Sequence, residues 1–271
     1  MTAGRPYAEV IGDPVAHSKS PLIHRFWLDR LGIDADYRAT RVAADGLADY
    51  FARCRADPDW RGCNVTMPHK LAVLDHVADP GDLGRSIGAA NTVLRQRDRL
   101  IATNTDAAGF YAPLADIDLA GAPVAVIGSG GAARAALFAL SRCGIGAVTV
   151  VARNPLKAAM LLSQLGLRGD TQMLSAPLPP ARLLVNASPL GMTGYDAYVP
   201  DLARLAPDGI VYDLVTDPVV TPLIAAAEEL GLATIDGLEM LVGQAAVAFE
   251  LFFDAPPPRD HDGELRERLL A

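Results

Sequence analysis

Short apolar runs that end at turn residues alternate with longer segments of helical period along most of the chain. Predicted strands lie at 7–12, 62–66, 147–152, 182–187, 209–214 and 233–237, with an alternating segment at 36–42. Helical periods cover 20–32, 47–56, 154–166, 221–231 and 237–253. Strands that alternate with helices in this way are typical of an α/β protein. From about residue 119 onward the series is βαβ, which predicts a doubly wound sheet.

The helix over 20–32 has recognisable start and stop signals. Ser20 is placed to cap it, Pro21 fits its first turn, and Gly32 can end it. Five apolar residues at helical spacing form its predicted buried face: Leu22, Ile23, Phe26, Trp27 and Leu31. Beyond the last long helix, residues 254–263 are predicted to be a loose, proline-rich segment before a short charged C terminus.

Composition excludes several classes of protein. The 271 residues are 51% hydrophobic and 21% charged, which is enough to form a buried core. A net charge of −8 argues against binding to a phosphate backbone, so no nucleic-acid partner is expected. No apolar stretch approaches the roughly 18 residues of a membrane span, and the N terminus lacks the pattern of a signal peptide. These features predict a soluble, cytoplasmic protein without a membrane partner.

The residues that commonly bind metals are scattered. The cysteines Cys54, Cys63 and Cys143 form no zinc-binding pattern, so they are interpreted as free thiols in a reducing compartment. The histidines also form no ligand cluster and are interpreted as structural or surface residues: His17, His24, His69 and His76. No metal site is therefore predicted.

The segment 123–144 reads as a buried strand, a glycine turn and an alanine-rich helix. Gly128 would permit the tight turn, and Gly130 would let the backbone approach a pyrophosphate. Ala133 stands where a third glycine usually allows close packing of helix on strand. Gly131 and Ala132 begin the helix, whose N terminus offers N–H groups to phosphate. The alternative is a glycine turn that merely joins a strand to a helix.

The end of the following strand indicates which dinucleotide would bind. NAD-binding folds usually place a carboxylate there, which accepts a hydrogen bond from the ribose 2′-hydroxyl. Here the chain has Arg153 and Lys157 instead. Cations favour a 2′-phosphate, whereas a carboxylate would repel it, so NADP is the predicted cofactor.

Four stretches in the first half concentrate small polar groups near glycine or proline: GDPVAHSKSP (12–21), NVTMPHK (64–70), GAANTV (88–93) and ATNTDAAGF (102–110). Each has a structural explanation when taken alone. Ser18 and Ser20 could be turn and cap residues, Asn91 a turn residue, and Asp106 the cap of a helix near Ala107. By composition alone Lys70 would be a solvated lysine on a turn.

Taken in order, seven motifs resemble those of the shikimate dehydrogenases of the bacterial monofunctional type. They are HSKSPLIH, NVTMPHK, GAANTV, NTD, GSGGAAR, NASPLGM (186–192) and DGLEMLVGQA (236–245). The resemblance extends from about Tyr7 to Phe253. It implies an enzyme that reduces 3-dehydroshikimate to shikimate with NADPH, on the pathway to chorismate and the aromatic amino acids. It also implies a small-molecule substrate and a monomer or homodimer.

The resemblance further implies two α/β domains with separate tasks. Residues 1–106, completed by the C-terminal segment 238–271, would form the substrate-binding and catalytic domain. Residues 107–237 would form a doubly wound Rossmann domain that binds NADP.

The same motifs imply roles for individual residues. Ser18 and Ser20 would hold the substrate carboxylate, and Lys70 with Asp106 would form the catalytic pair. Ring hydroxyls would be bound or supported by Thr66, Asn91 and Gln244, and the nicotinamide would lie near Met192, Gly237 and Met240. A ketone reduction needs a proton donor at the developing alkoxide, and a lysine beside a carboxylate has the chemistry to supply that proton.

Three departures from the family pattern affect the choice of substrate and cofactor. Thr216 stands where the family usually has tyrosine, and Ala107 where it commonly has glycine; VARN replaces the usual Asn-Arg-Thr but keeps Arg153. One alternative is therefore a related dehydrogenase that acts on quinate, an aminoshikimate or another cyclohexane carboxylate. An alternative of another class is a non-catalytic NADP-binding sensor, although both Lys70 and Asp106 are present.

Overall fold

The computed structural model describes residues 4–79 and 81–271. Contacts divide the chain into two compact units. The first unit contains the residues up to Thr105 together with Val242–Ala271, and the second contains Asp106–Leu241. The assignment of substrate and cofactor to separate domains stays a prediction at this point.

Eleven strands and nine α-helices are present among the described residues. The strands are β1 (Tyr7–Gly12), β2 (Asp36–Arg41), β3 (Trp60–Val65), β4 (Thr92–Gln96), β5 (Arg99–Thr103), β6 (Val124–Ile127), β7 (Val148–Val151), β8 (Gly169–Gln172), β9 (Ala181–Asn186), β10 (Leu205–Asp213) and β11 (Ala233–Ile235). The helices are α1 (Ser20–Leu31), α2 (Leu47–Ala56), α3 (Leu83–Ile87), α4 (Asp106–Tyr111), α5 (Gly131–Leu140), α6 (Pro155–Gln164), α7 (Pro222–Glu229), α8 (Gly237–Phe253) and α9 (Asp262–Leu270). None of the described helices is long and apolar enough to cross a membrane.

The second unit contains a six-stranded sheet in the order β11-β10-β9-β6-β7-β8. All its strand pairs are parallel. This is the order of a doubly wound dinucleotide-binding sheet, in which ligands bind at the carboxyl ends of the central strands. The predicted α/β fold with a Rossmann domain is therefore confirmed.

The first unit contains a five-stranded sheet in the order β2-β1-β3-β4-β5. β1 pairs in parallel with β2 and β3, whereas β4 and β5 form an antiparallel hairpin at one edge. The motifs at both ends of this hairpin were recognisable in the sequence, but the strands β4 and β5 were not predicted. The strand β8 was not predicted either.

Two predicted features of α1 are wrong. The helix begins at Ser20 with Lys19 as its N-cap, and no side chain caps it; Ser18 Oγ instead accepts a hydrogen bond from Ser20 N. Leu22 and Leu31, expected on the buried face, are 38% and 40% exposed. The buried face turns toward Leu28 and His24, because α8 supplies aromatic side chains on that side. Gly32 ends the helix at φ +62°, as predicted.

The C-terminal segment is more ordered than the sequence predicted. Arg259–His261 form a short 3-10 helix, and Asp262–Leu270 form α9, whose Leu265 and Leu269 are buried. The prolines at 256–258 precede the helix and do not interrupt it, so the expectation of a loose segment across 254–263 is wrong for its last residues.

His24 lies in an aromatic cluster of the first unit. Its ring stacks on Tyr37 at 3.9 Å with an interplanar angle of 4°, and Trp27 and Phe249 pack around it. It is fully buried, and neither ring nitrogen has a hydrogen-bond partner among residues 4–79 and 81–271. Burial lowers the pKa of His24 to about 3, because the imidazolium form would be desolvated.

We expect the protein to lose stability as the pH falls below about 6.5. The unfolded chain protonates His24 near its ordinary pKa, while the folded chain keeps it neutral. The free energy of unfolding therefore falls by about 1.4 kcal/mol for each pH unit between about 6.5 and 3. Urea unfolding at pH 7 and pH 5 measures this dependence. His24→Phe keeps the ring stack and removes the titration. Between pH 7 and pH 5 its free energy of unfolding should therefore fall by about 2 kcal/mol less than that of the wild type. An equal dependence in both proteins would assign the effect to other groups.

Candidate active site

A tight corner follows the carboxyl end of β3. Thr66 N donates to Ile11 O at 2.9 Å, and Asp13 N donates to Met67 O at 3.0 Å, so the corner is held against the end of β1. A Cβ on Gly12 would lie 2.7 Å from the Met67 carbonyl oxygen, which explains why a glycine ends β1. Thr66 is half-buried at this corner.

His69 and Lys70 complete the corner. His69 is buried, and its Nε2 donates to Val42 O at 2.7 Å, so the ring fixes the chain just before Lys70. The carbonyl oxygen of Lys70 accepts a hydrogen bond from Ala90 N at 2.7 Å. This bond places Lys70 next to the segment that contains Asn91.

Asn91 is the centre of a buried hydrogen-bond network in the first unit. Its Oδ1 accepts from Thr105 N at 2.7 Å and from the Thr92 hydroxyl at 3.0 Å. Its Nδ2 donates to Thr105 Oγ1 at 2.9 Å and to Gln244 Oε1 at 3.3 Å. Three predicted substrate-site motifs therefore meet here: GAANTV, NTD and the start of α8.

Asn64 and Tyr37 extend this network toward β2. Asn64 Nδ2 donates to Thr92 Oγ1 at 3.1 Å, and Asn64 Oδ1 accepts from the Tyr37 hydroxyl at 2.6 Å. The side chain of Ser20 lies beside the Tyr37 hydroxyl. Tyr37 is fully buried, and burial raises the pKa of its hydroxyl. No role was predicted for Tyr37. The available signal was that a tyrosine in a predicted strand needs a hydrogen-bond partner for its hydroxyl once it is buried.

The chain of bonds runs in one direction. Tyr37 donates to Asn64, Asn64 donates to Thr92, and Thr92 donates to Asn91. Asn91 in turn donates to the Oε1 atom of Gln244. The network thus connects Tyr37 with Gln244 through buried groups that have defined orientations. Ser18 lies two residues before Ser20 and is half-buried.

Asp106 follows Thr105 directly in the chain and begins α4 in the second unit. It is buried, with 4% of its surface exposed. Phe110 in the same helix stacks on Tyr212 with ring centres 5.0 Å apart. This packing fixes α4 within the second unit, next to β10.

The glycine turn of the second unit lies between β6 and α5. Gly128 has φ +111°, and a Cβ there would lie 2.8 Å from the Ala187 carbonyl oxygen, so only glycine fits. Gly130 is the N-cap of α5, and a Cβ there would meet nothing within 4 Å, so its backbone is open to a ligand. Gly131 and Ala132 form the first turn of the helix. These residues fit a pyrophosphate, which binds to backbone N–H groups at such a turn.

Arg153 and Lys157 lie beside this turn at the same edge of the sheet. Gly128 N donates to Val151 O at 2.9 Å, and Arg153 is the second residue after Val151. Asn154 caps α6 by accepting from Lys157 N at 3.1 Å. Both cationic side chains are exposed, which fits the binding of a 2′-phosphate.

A buried carboxylate organises the loop that contains Met192. Asp213 accepts hydrogen bonds from Asn186 Nδ2 at 2.9 Å and from the Thr221 hydroxyl at 2.7 Å. Asn186 in turn donates to Leu190 O at 2.9 Å, which shapes the turn before Met192. Burial raises the pKa of Asp213 above its ordinary value. The motif of this loop was recognisable in the sequence, whereas its support by Asp213 was not.

The last predicted cofactor residues lie at the start of α8. A Cβ on Gly237 would overlap the carbonyl oxygen of Val215, so the helix begins in close backbone contact with the segment after β10. Met240, one turn later, is buried. Within the described residues no group of three His, Cys, Asp or Glu side chains is placed to hold a metal ion.

Two family models match the chain. The shikimate dehydrogenase substrate binding domain matches residues 10–93, and the Shikimate 5′-dehydrogenase C-terminal domain matches residues 237–261. The NADP(+) shikimate dehydrogenase of Sphingopyxis alaskensis is 63% identical over 267 residues, which cover 98% of this chain and 97% of that protein. The chain belongs to the shikimate dehydrogenase family. The predicted family and its class of enzyme, a dehydrogenase, are thereby confirmed.

Solved structures of the family also match nearly the whole chain. Shikimate 5-dehydrogenase from Thermus thermophilus, in complex with NADP(H) and shikimate, is 37% identical with a TM-score of 0.86; the match covers 98% of this chain and 100% of that one. The 5-ketofructose reductase of a Gluconobacter species is 31% identical with a TM-score of 0.88, over 98% and 99% of the two chains. Shikimate dehydrogenase relatives therefore share one fold although their named substrates differ.

Proposed function

We propose that this chain is an NADP-dependent shikimate dehydrogenase that reduces 3-dehydroshikimate to shikimate in chorismate and aromatic amino acid biosynthesis in the cytoplasm. The observation that carries the proposal is the buried network of Asn91, Thr105 and Gln244 beside the Lys70 corner. The named activity of the relative at 63% identity supports the choice of shikimate and NADP.

Lys70 and Asp106 are the proposed acid–base pair. Reduction of the ketone develops negative charge on its oxygen, and an ammonium can donate the proton that neutralises it. Asp106 is the proposed partner that keeps Lys70 charged and accepts a hydrogen bond from the hydroxyl next to the reacting carbon. NADPH supplies the hydride when bound.

The remaining groups bind the substrate. Ser18 and Ser20 donate hydroxyl hydrogens to its carboxylate, and Thr66, Asn91 and Gln244 bind or support its ring hydroxyls. The hydrogen bonds on Asn91 and on Gln244 Oε1 fix the orientation of both amides before the substrate arrives. A pre-organised polar pocket lowers the cost of ordering side chains on binding.

NADP is held in the second unit by Gly128, Gly130, Gly131 and Ala132 at the pyrophosphate and by Arg153 and Lys157 at the 2′-phosphate. Met192, Gly237 and Met240 are the proposed neighbours of the nicotinamide. These roles rest on the open backbone at Gly130 and on the two exposed cations at the same sheet edge.

Arg153→Ala is expected to raise KM for NADP by about 10-fold or more, the effect of one lost charge-assisted hydrogen bond, while KM for NAD changes little. Initial rates with each cofactor at saturating shikimate measure this difference. Arg168→Ala is the control. Arg168 is exposed at the amino ends of β7 and β8, away from Arg153, and its carbonyl oxygen accepts from Val148 N. Equal losses for NADP and NAD would contradict the assignment of Arg153.

The function itself is tested by a matrix of substrates and cofactors. Purified protein is assayed with shikimate and quinate as alcohols, and with 3-dehydroshikimate and 5-ketofructose as ketones, each with NADP(H) and NAD(H). We expect the highest kcat/KM for the shikimate pair with NADP(H). A higher kcat/KM for quinate or 5-ketofructose would move the chain to another branch of the family, and inactivity on all four would support a sensor.

A further inference from the structure

The C-terminal helix packs against the helix that begins at the serine motif. Lys19 at the start of α1 reaches Leu269 at the end of α9, and Arg30 near the end of α1 forms an ion pair with Glu264 near the start of α9. The two helices therefore run antiparallel. Both lie in the first unit.

Apolar and cationic side chains fill the contact between the helices. Leu265 and Leu269 of α9 are buried, with exposed fractions of 0% and 4%. The guanidinium of Arg268 lies 4.9 Å from the centre of the Phe26 ring, within the range of a cation–π interaction. The position of α9 is thus determined by packing along its whole length.

Lys19 caps α9 from another part of the chain. Its Nζ donates to the carbonyl oxygen of Leu269 at 2.9 Å. The last carbonyl groups of a helix lack partners within the helix and carry the negative end of its dipole, so a cation is favoured there. The hydrogen bond joins residues 250 positions apart in the sequence.

Lys19 also lies between the two serines. Its carbonyl oxygen accepts from Ile23 N at 3.2 Å, which begins α1. Ser18 Oγ accepts from Ser20 N at 3.3 Å, so the backbone around Lys19 forms a compact turn. Lys19 is thus held at its side chain by α9 and at its carbonyl by α1.

We propose that Lys19 is a positioning residue that ties the serine loop, Ser18–Ser20, to α9 and thereby orients both serine hydroxyls toward the substrate carboxylate. The inference rests on the proposed function, because it needs a substrate with a carboxylate at the serines. Lys19 itself acts through α9, since its ammonium is bound to the Leu269 carbonyl.

Lys19→Met removes the donor and retains a long side chain. We expect Kd for shikimate, measured by calorimetry without cofactor, and KM for shikimate to rise about 3- to 10-fold, the effect of one hydrogen bond. We expect kcat and KM for NADP to stay within about twofold, because the change affects ground-state and transition-state binding equally. Lys19→Arg should restore Kd, since a guanidinium can donate to the same carbonyl. Arg30→Met removes the ion pair between α1 and α9 and should leave Kd unchanged.

The methyl ester of shikimate tests whether the effect passes through the carboxylate. With the ester, which has no carboxylate charge, wild type and Lys19→Met should have the same KM. An equal rise in KM for shikimate and for the ester would overturn the proposal, as would an unchanged Kd for shikimate. Failure of the wild type to bind or oxidise shikimate would instead refute the proposed function.

A shortened chain tests whether Lys19 acts through α9. A variant that ends at Glu267 lacks the Leu269 carbonyl, together with Arg268 and the buried Leu269 side chain, and should raise Kd at least as much as Lys19→Met. Adding Lys19→Met to this variant should change nothing further, because the acceptor of the Lys19 ammonium is already absent. A further loss would mean that Lys19 contacts the substrate directly, and the positioning role would be wrong.

Discussion

Replacing Lys70 with alanine is expected to lower kcat by about 100-fold or more, the scale of lost general acid–base catalysis. The corner should keep its shape, because the hydrogen bond from Ala90 N uses the carbonyl oxygen of residue 70, which alanine retains. Initial rates at saturating shikimate and NADP measure kcat, and fluorescence titration with NADPH measures cofactor binding, which should change little.

Met67→Ala is the matched control for Lys70→Ala. Met67 belongs to the same corner, but its side chain is 57% exposed and its backbone forms the bond to Asp13. This variant should keep kcat within about twofold, as expected for a surface substitution. A normal kcat for Lys70→Ala would remove Lys70 from the mechanism.

Asn91→Ala is expected to lower the free energy of unfolding by about 3 kcal/mol, because it leaves several buried groups without partners. Thr105 N and the Thr92 hydroxyl lose their acceptor, and Gln244 Oε1 loses a donor. Because Gln244 Oε1 loses its bond from Asn91 and the Asn91 amide itself is removed from the proposed pocket, KM for shikimate should rise about 10-fold or more. Urea unfolding and initial rates measure the two effects.

Thr92→Val separates the structural effect from the effect on the substrate. It removes the Thr92 hydroxyl, which accepts from Asn64 Nδ2 and donates to Asn91 Oδ1, yet Asn91 Oδ1 keeps its bond from Thr105 N. We expect a loss of about 2 kcal/mol in stability, the effect of two hydrogen bonds, and little change in KM. If Thr92→Val raised KM as much as Asn91→Ala, Asn91 would have only a structural role and no direct role in substrate binding.

The second unit was largely predictable because its strands are short apolar runs and its turns contain glycine or proline. The hairpin of β4 and β5 was missed because arginines interrupt its apolar pattern in TVLRQRDRLIAT. β8, with the sequence GDTQ, has no apolar side chain and forms at the sheet edge beside β7. In both cases pairing with a neighbouring strand outweighs weak local propensity.

The residues of the candidate site were identified from motifs, but their connections required the structure. Tyr37 lies in an alternating segment and could have been an ordinary core residue; its hydroxyl donates to Asn64 Oδ1 across β1. The prediction that Ser20 caps α1 was wrong for a similar reason. A serine directly before a proline fits the N-cap position, but in the structure Lys19 is the N-cap and Ser20 is the first residue of the helix. Sequence spacing describes contacts along one element, whereas these bonds join different elements.

The first unit is assembled from two separate stretches of the chain. Phe249 and Phe252 near the C-terminal end pack against His24, and the Phe252 ring occupies the space beside Gly62. During synthesis on the ribosome, the residues that form the second unit emerge before these aromatic side chains do. The second unit can therefore complete its fold first, while one apolar face of the N-terminal sheet is still uncovered. Emergence of the end of α8, rather than of the N-terminal half, sets the moment at which the proposed substrate site forms.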